Sequence, residues 1–464
     1  MTRSTNATAA LAVASLALAV APAVHAQFVF DTLALEGEIA PNSGGATYAG
    51  SFTNPTVNAS GVVAFEALFA GGTSPTSPFG VYTVSPGGTQ LLIRSGDAIP
   101  GTSLTFGDVE GSVIINANGE VAFSASSAVL TADAIGNVTT LAFFGQTAPG
   151  VPELSPGVVE SFQNLSDVSF NNAGQVAFSA KTFNSFSDDF LYRTTPSGVL
   201  ELAAQRDQSP PTGGLFAGFE ESDIADNGLI VFEGFVNNPP SGVGRESLHT
   251  VDPSGVLETV ITEEVTVAPP EFGNNTFSFL GEPEFDAAGN VFFDGSVAFG
   301  TGVDGSNNEG LFVVDPAGNV TTLLREGDPV PGGIGTFDDP SDQAFSEAGL
   351  FATVADVITT GLSDREALFL GDLNGISEAI LLEGELFEVA PGDFRVIDDI
   401  DLVTGGFAGD FVAVRLSFRD GGGDTTNAIV RVTIPEPSTV ALLSLGGLLF
   451  SRRGRHANTI GADR

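Results

Sequence analysis

The segment Asn116-Ala-Asn-Gly-Glu-Val-Ala-Phe123 decides the fold, because the chain repeats it. Close copies run from Asn58 to Phe65 and from Asn171 to Phe178. Degenerate copies follow around Gly228, Gly289, Gly349 and Gly409. Successive copies of this glycine lie 54 to 61 residues apart. A constant period of this size is typical of repeat architectures, so residues 28–434 are predicted to hold seven repeats.

Within each copy, the Asn at the first position and the Gly at the fourth indicate a tight turn. Asn hydrogen-bonds its own backbone, and Gly accepts a positive φ, so the phrase is predicted to be a hairpin tip. A second tip recurs in the repeats, at Thr195–Gly198, Asp252–Gly255 and Asp315–Gly318, where Pro presets the φ of the second turn position. Each repeat is therefore predicted to contain two hairpins.

Short β-type runs flank these tips. In the third repeat they are Asp167–Phe170, Gln175–Ser179, Phe190–Arg193 and Val199–Ala203. Four antiparallel strands in about 58 residues fit a propeller blade better than a β-helix coil or a separate sandwich domain. The predicted fold is all-β: a seven-bladed β-propeller of four-stranded antiparallel blades. Five repeats place a Phe at the same position, and these side chains are predicted to fill the blade cores: Phe65, Phe123, Phe178, Phe232 and Phe293.

The repeat region begins and ends at different points of the repeat. Leu33–Gly37 resembles the fourth strand of later repeats, such as Leu323–Gly327, yet it precedes the first complete repeat. The last repeat ends after its third strand, Ala428–Val432. Pairing of these two segments would close the ring with the N-terminal strand and remove an open edge.

The repeat phrase resembles the NxxGxxAF tandem-repeat family of exported bacterial proteins, over nearly the whole of residues 28–434. The resemblance implies that the protein is exported. It supplies no activity that can be assigned to this chain.

Residues 1–26 are predicted to be a secretory signal peptide. One charge at Arg3 precedes an apolar run from Ala9 to Ala21, and small residues precede the expected cleavage between Ala26 and Gln27.

The C-terminal region is predicted to be a sorting and membrane segment, residues 435–455, followed by a polar tail, residues 456–464. Pro435, Glu436 and Pro437 precede an apolar run from Val440 to Phe450, which is predicted to be a short transmembrane segment. A basic cluster follows it at Arg452, Arg453 and Arg455. This order resembles the PEP-CTERM sorting signal of Gram-negative bacteria. The resemblance implies a transient inner-membrane stage, processing by an exosortase-like enzyme and final delivery to the cell surface or the extracellular space.

Composition excludes several classes of partner and site. With 57 acidic and 16 basic residues the formal charge is −41, which would repel a phosphate backbone, so nucleic acid is excluded as a partner. The absence of Cys excludes disulfides, thiolate nucleophiles and Cys-ligated metals. His249 is the single His between the terminal segments, and it is predicted to be an ordinary strand residue without a catalytic role.

Carboxylates are abundant, and oxygen ligands suit calcium. No cofactor is required by the sequence, but calcium is possible, and the candidate ligands are Asp304, Asn308, Asp338, Asp339 and Asp342. Further acidic clusters lie at Asp398, Asp399 and Asp401, and at Asp420 and Asp424.

Two function classes remain open. The first is an exported, noncatalytic surface or matrix protein with a structural, adhesion or binding role, whose partner is an envelope or extracellular polymer. The alternative is a secreted hydrolase or lyase that uses carboxylates and calcium on the central face of the propeller. The observation that discriminates between them is whether three or more carboxylates from different blades converge within coordination distance at one mouth of the channel.

Overall fold

The computed structural model describes residues 28–71, 79–151, 159–183, 190–237, 244–359, 364–419 and 425–435. Residues Phe28–Ile434 form one compact unit. It is all-β apart from one short 3-10 helix at Pro270–Phe272 in the described part. Its strands form seven antiparallel sheets, which are the seven predicted blades.

The strand that precedes the first blade is β1, Val29–Leu35. Blade 1 contains β2 (Thr47–Phe52), β3 (Thr56–Val57), β4 (Val63–Ala70), β5 (Phe79–Ser85) and β6 (Gly88–Arg94). Blade 2 contains β7 (Val109–Ile115), β8 (Val121–Ala125), β9 (Ala128–Ala132) and β10 (Val138–Phe143). Blade 3 contains β11 (Phe162–Phe170), β12 (Val176–Thr182), β13 (Phe190–Thr194) and β14 (Leu200–Gln205).

Blade 4 contains β15 (Leu215–Ile224), β16 (Ile230–Asn237), β17 (Arg245–Val251) and β18 (Leu257–Thr262). Blade 5 contains β19 (Phe277–Leu280), β20 (Glu284–Phe285), β21 (Val291–Val297), β22 (Glu309–Val314) and β23 (Val320–Arg325). Blade 6 contains β24 (Thr336–Phe345), β25 (Leu350–Ile358), β26 (Arg365–Asp372) and β27 (Gly375–Leu382). Blade 7 contains β28 (Leu386–Ala390), β29 (Asp393–Asp401), β30 (Phe407–Ala408), β31 (Phe411–Arg419) and β32 (Thr425–Thr433).

The first hairpin tip has the predicted geometry. Asn116 Oδ1 accepts hydrogen bonds from the backbone N–H groups of Asn118 and Glu120, both at 3.0 Å. Gly119 has φ +79°, a conformation that suits Gly. The corresponding Gly of every other repeat also has a positive φ. At the second tip, Asp252 Oδ1 accepts hydrogen bonds from the N–H groups of Ser254 and Val256 at 2.8 and 2.9 Å.

β1 pairs antiparallel with β32, so that the N-terminal strand completes blade 7. Leu35 lies opposite Ala428, and Val29 lies opposite Thr433. Ala428–Val432 is the segment that the sequence predicts to pair with the N-terminal strand, and it lies within β32. The predicted limits of the first strand, Leu33–Gly37, are wrong by a few residues. Gly37 has φ +88°, and the chain turns there, so the strand ends at Leu35 and extends instead toward Val29.

The core consists of seven apolar clusters, one between each pair of neighbouring blades of the described part. β1 contributes to two of them. Ala34 lies in the cluster between blades 7 and 1, and Leu35 lies in the cluster between blades 6 and 7. Burial of both faces of a blade explains why the second and third strands of a repeat are almost continuously apolar.

The five Phe residues of the repeat phrase are fully buried, as predicted: Phe65, Phe123, Phe178, Phe232 and Phe293. Four of them stack on the residue opposite in the third strand. The pairs are Phe65 with Tyr82, Phe178 with Tyr192, Phe232 with His249, and Phe293 with Phe312, with ring centroids 5.4 to 5.8 Å apart. The aligned Phe side chains are therefore core residues and not an exposed binding ring.

Side-chain amides of the repeat Asn residues join blades 1 to 4. Asn58 Nδ2 donates to the carbonyl of Asn116 at 3.0 Å, and Asn116 Nδ2 donates to the carbonyl of Asn171 at 3.3 Å. Asn171 Nδ2 donates to the carbonyl of Ala225 at 2.8 Å. The first position of the repeat phrase thus both caps its own turn and holds the next blade.

Buried carboxylates make a second set of hydrogen bonds between blades. Glu66 Oε1 accepts the N–H of Val109 at 2.7 Å, which joins blade 1 to blade 2. Asp223 Oδ2 accepts the N–H of Phe285 at 2.9 Å, which joins blade 4 to blade 5. Burial, together with the charge of Asp108, raises the pKa of Glu66 to about 8. The hydrogen bond from Val109 acts in the opposite direction and lowers this pKa. Glu66 is only 4% exposed.

This burial predicts that the stability of the propeller depends on pH through Glu66. Because its pKa is raised on folding, the free energy of unfolding falls as pH rises from about 4.5 to about 8. Glu66→Gln keeps an oxygen that can accept the Val109 N–H but removes the titration. We expect the variant to match the wild type at pH 4 and to exceed it by at least about 2 kcal/mol at pH 8.5.

Urea unfolding at the two pH values with EDTA present measures the difference. Glu258→Gln, at an exposed position of β18, serves as the control. An equal effect of Glu66→Gln at both pH values would contradict the assignment.

Candidate functional site

The inner strands of the seven blades surround a central channel. A cavity of about 950 Å³ lies at the end where the first hairpin tips meet. Its lining includes the tips of blades 1 to 4 and the inner-strand residues Asp223 and Glu284. Glu284 is 4% exposed, and its Oε2 accepts the N–H of Phe345 at 3.3 Å, whereas its Oε1 has no partner among the described residues. Burial and the neighbouring Asp223 raise the pKa of Glu284 well above its usual value.

A second cavity, of about 430 Å³, is lined mainly by carboxylates, and we call it the acidic cavity. Its acidic residues come from blades 4, 5 and 6: Glu220, Glu221, Glu233, Glu246, Glu282, Asp294 and Asp342. Asn54 of blade 1, Gln343 of blade 6 and Leu402–Thr404 of blade 7 also line it. No lysine or arginine is among the described residues of this lining. The carboxylates therefore have no cationic side chain within the cavity to neutralise them.

A β-bulge in blade 4 brings three of these carboxylates together. Phe219 pairs with Gly234 and Ser222 pairs with Phe232, so Glu220 and Glu221 of β15 both lie opposite Glu233 of β16. Consecutive strand residues normally point to opposite faces, and a bulge re-aims one of them. One carboxylate oxygen from each of the three residues lies within 4.8 Å of the other two.

Burial and mutual repulsion raise the pKa values in the acidic cavity. The pKa of Glu233, which is 5% exposed, rises to about 9 because of burial first and then the charges of Glu220, Glu246, Glu221 and Asp294. Burial also raises the pKa of Glu282 to about 7. Carboxylates that share a site cannot all ionise without a counter-charge. The cavity is therefore suited to a cation.

Gln343 contributes a free neutral oxygen to the same cavity. It is 6% exposed, and its Nε2 donates to Asp294 Oδ1 at 2.9 Å. This contact fixes the orientation of the amide. The carboxylate oxygen of Asp294 accepts a hydrogen bond, so it faces the NH₂ group of Gln343 and not the amide oxygen. Gln343 Oε1 is buried and has no hydrogen-bond partner among the described residues. Such an oxygen is available to accept a hydrogen bond or to bind a cation.

The sequence profile of a family of unknown function, DUF7453, matches residues 25–142, 127–322 and 205–441. The chain belongs to this family. No curated protein matches it.

Among solved structures, similar ones include a puromycin hydrolase and the acylaminoacyl peptidase of Pyrococcus horikoshii. The first is 13% identical with a TM-score of 0.45, over 83% of this chain and 53% of that one. The second is 12% identical with a TM-score of 0.45, over 90% and 55%. The chain thus spans about half the length of these two proteins. A polysaccharide lyase of family PL25, an ulvan lyase, is 10% identical with a TM-score of 0.42, over 86% of this chain and 99% of that one.

The structure separates the calcium ligands that the sequence proposed. Asp342 lies in the acidic cavity, where its Oδ2 accepts the N–H of Leu402 at 3.1 Å. Asp338 and Asp339 lie elsewhere on β24, and the carboxyl of Asp339 hydrogen-bonds to that of Glu309 of blade 5.

The remaining candidates belong to an exposed loop. Asp304 Oδ1 accepts bonds from the N–H and the hydroxyl of Ser306 at 3.1 and 2.7 Å, and the N–H of Asn308 donates to Glu326 Oε2 at 2.9 Å. Of the other acidic groups named above, Asp401 pairs with Arg415 at 2.7 Å and Asp398 pairs with Arg419 at 2.5 Å. Asp420 and Asp424 lie outside the described residues.

His249 lies on a strand, as predicted, and its side chain is part of the blade core. It is fully buried on β17, at the position that Tyr82 and Tyr192 occupy in other blades, and it stacks on Phe232. Burial lowers its pKa to about 4. Its Nδ1 lies 3.2 Å from Thr259 Oγ1. An imidazole enclosed within a blade has no access to a substrate in the channel.

The terminal predictions fall largely outside the described residues. These include the cleavage site at Ala26 and Gln27, the sorting residues Glu436 and Pro437, the short transmembrane segment from Val440 to Phe450, and the basic cluster Arg452, Arg453 and Arg455. Pro435 is the last residue that the structure describes. Within the described ranges, no helix has the length and apolar character needed to cross a membrane.

Proposed function

We propose that this chain is an exported, noncatalytic surface protein whose propeller binds a cationic ligand in its central channel. The acidic cavity carries the proposal, because carboxylates from three blades converge there without a basic side chain. An extracellular or envelope polymer that carries bound cations is the kind of partner such a site would hold. The sequence features that support export are the predicted signal peptide and the PEP-CTERM-like segment.

The spacing of the carboxylates favours binding over catalysis. Oxygens of Glu220, Glu221 and Glu233 lie within 4.8 Å of one another. Glycosidases pair two carboxyl groups across the scissile bond, about 5–5.5 Å apart or about 6.5–9.5 Å apart with room for a water, whereas three carboxylates form a single group here. Closely spaced, like-charged groups favour a shared cation instead.

A secreted hydrolase or lyase is the second candidate, and Glu282 favours it. Its pKa of about 7 is suited to a general acid near neutral pH, and Glu221 lies nearby with a negative charge. The purified full chain would be incubated with a panel of acidic and neutral polysaccharides. Turnover that Glu282→Gln abolishes, and that Glu258→Gln at an exposed position of β18 leaves unchanged, would replace the noncatalytic proposal with this one.

The sorting part of the proposal predicts the effect of removing residues 435–464. The truncated protein is expected to keep the melting temperature of the full chain, because β32 ends at Thr433 and the compact unit ends at Ile434. It is expected to be lost from the cell surface, because the PEP-CTERM-like segment is absent. Thermal melting and surface labelling of intact cells measure the two effects.

A matched control keeps the tail and replaces Pro435, Glu436 and Pro437 by Ala, which should reproduce the loss from the surface. Misfolding of the truncated protein, or its normal arrival at the surface, would refute the sorting proposal.

A further inference from the structure

We propose that the acidic cavity is a calcium site in which Glu220, Glu221 and Glu233 of blade 4 and the free amide oxygen of Gln343 of blade 6 are ligands. The inference deepens the proposed binding role and rests on it, because it names the cation. It does not depend on where the protein is delivered.

The first line of support is the bulge in β15. Two carboxylates from one strand and one from its neighbour meet because Glu220 and Glu221 both lie opposite Glu233. A regular strand would send one of the two away from Glu233. The irregularity in the sheet thus assembles a three-carboxylate group, and such groups are typical of calcium ligation.

The second line of support is independent of the acidic residues. Gln343 Oε1 is buried and unpartnered among the described residues, although the amide nitrogen of the same side chain is held 2.9 Å from Asp294. Amide oxygens are common calcium ligands. The cavity therefore presents a neutral oxygen, fixed in orientation, beside carboxylates that need a counter-charge.

The chemistry of the lining selects calcium over other metals. The lining offers oxygen ligands and neither His nor Cys, which disfavours zinc and copper. Two ligands on opposite sides of calcium can lie about 5 Å apart, whereas magnesium requires about 4 Å in a strict octahedron. Oxygens that all lie within 4.8 Å of one another can be bridged by one calcium ion, whose ligands need not adopt a strict octahedron. A cavity of about 430 Å³ also leaves room for water ligands.

Calcium bound here would connect blades 4 and 6 across blade 5, because Gln343 belongs to blade 6 and its partner Asp294 belongs to blade 5. The ion would therefore stabilise one side of the ring. The expected signs are saturable binding of one calcium per chain and a higher melting temperature in calcium than in EDTA.

Isothermal titration of the EDTA-treated full chain with calcium chloride, and with magnesium chloride in parallel, tests the site. Glu233→Gln and Glu221→Gln are expected to weaken calcium binding by at least about tenfold. Gln343→Ala is expected to weaken it as well, and this variant leaves all the carboxylates in place. Asp304→Asn, in the exposed turn, is the matched control and should bind as the wild type does. Circular dichroism establishes that each variant is folded.

Several outcomes would overturn the inference. These are no saturable calcium binding, binding that survives Glu221→Gln and Glu233→Gln, tighter binding of magnesium than of calcium, or a loss of binding confined to Asp338→Asn and Asp339→Asn. If both Glu variants fail to fold, Gln343→Ala alone decides the test. Failure of the titration with normal surface delivery would refute this site only, whereas calcium binding without surface delivery would refute only the sorting role.

Discussion

Removal of residues 28–38 is expected to destabilise the whole propeller and not only blade 7. The deletion takes away β1, exposes the backbone edge of β32 and removes Ala34 and Leu35 from two interblade clusters. An unpaired edge in a ring that depends on closure promotes aggregation. We expect a fall of more than about 10 °C in the melting temperature, or insoluble protein, because two of the seven core clusters lose members at once.

A covalent test examines the same contact without a deletion. Asp31 and Arg431 are direct partners across β1 and β32, and their side chains form an ion pair at 2.7 Å. Because the chain has no native Cys, the pair Asp31→Cys and Arg431→Cys should form one intramolecular disulfide. Asp31→Cys with Thr425→Cys is the control, since Thr425 lies at the opposite end of β32. Mass spectrometry detects the disulfide. A folded monomer that crosslinks in neither pair would contradict ring closure.

Replacement of Phe178 by Ala is expected to cost about 3–5 kcal/mol of unfolding free energy. Phe178 is fully buried, and its ring stacks on Tyr192 with centroids 5.6 Å apart. Phe123→Ala should cost a similar amount, because Phe123 is equally buried. Urea unfolding of each variant against wild type gives the difference.

Phe299→Ala is the matched control, since that side chain is 71% exposed and should change stability by less than about 0.5 kcal/mol. Near-wild-type stability of Phe178→Ala and Phe123→Ala would mean that the aligned aromatic residues do not form the core.

The architecture could be predicted from the sequence because its signals are local and repeated. Asn116 and Gly119 specify a turn through their own backbone preferences, and seven copies of that turn give the number of blades. Ring closure could be predicted from where the repeats begin and end. Leu33–Gly37 resembles a fourth strand and precedes the first repeat, and the last repeat lacks a fourth strand. The limits of β1 do not follow from this comparison, because the matching segment includes Gly37, which lies in the turn after the strand.

The acidic cavity could not be predicted from clusters of neighbouring Asp residues, because its members are far apart in the sequence. Glu221 and Gln343 are separated by two interblade boundaries, and the bulge that pairs Glu220 and Glu221 with Glu233 has no local signature. One signal was present. The residue after the repeat Phe is Ser124 or Ser179 in two copies, but it is charged in three others: Glu66, which binds the next blade, and Glu233 and Asp294, which line the cavity. A charge in the middle of a core strand indicates a special environment.

The pairing of β1 with β32 also orders the events of biosynthesis. β1 is the first strand of the propeller to leave the ribosome, and β32 is the last. Blades 1 to 6 contain only strands that are contiguous in the chain, so each can form as it emerges. Blade 7 must wait for the final strand, and until then β1 has no partner in the ring. The ring of a nascent chain therefore stays open until synthesis is almost complete.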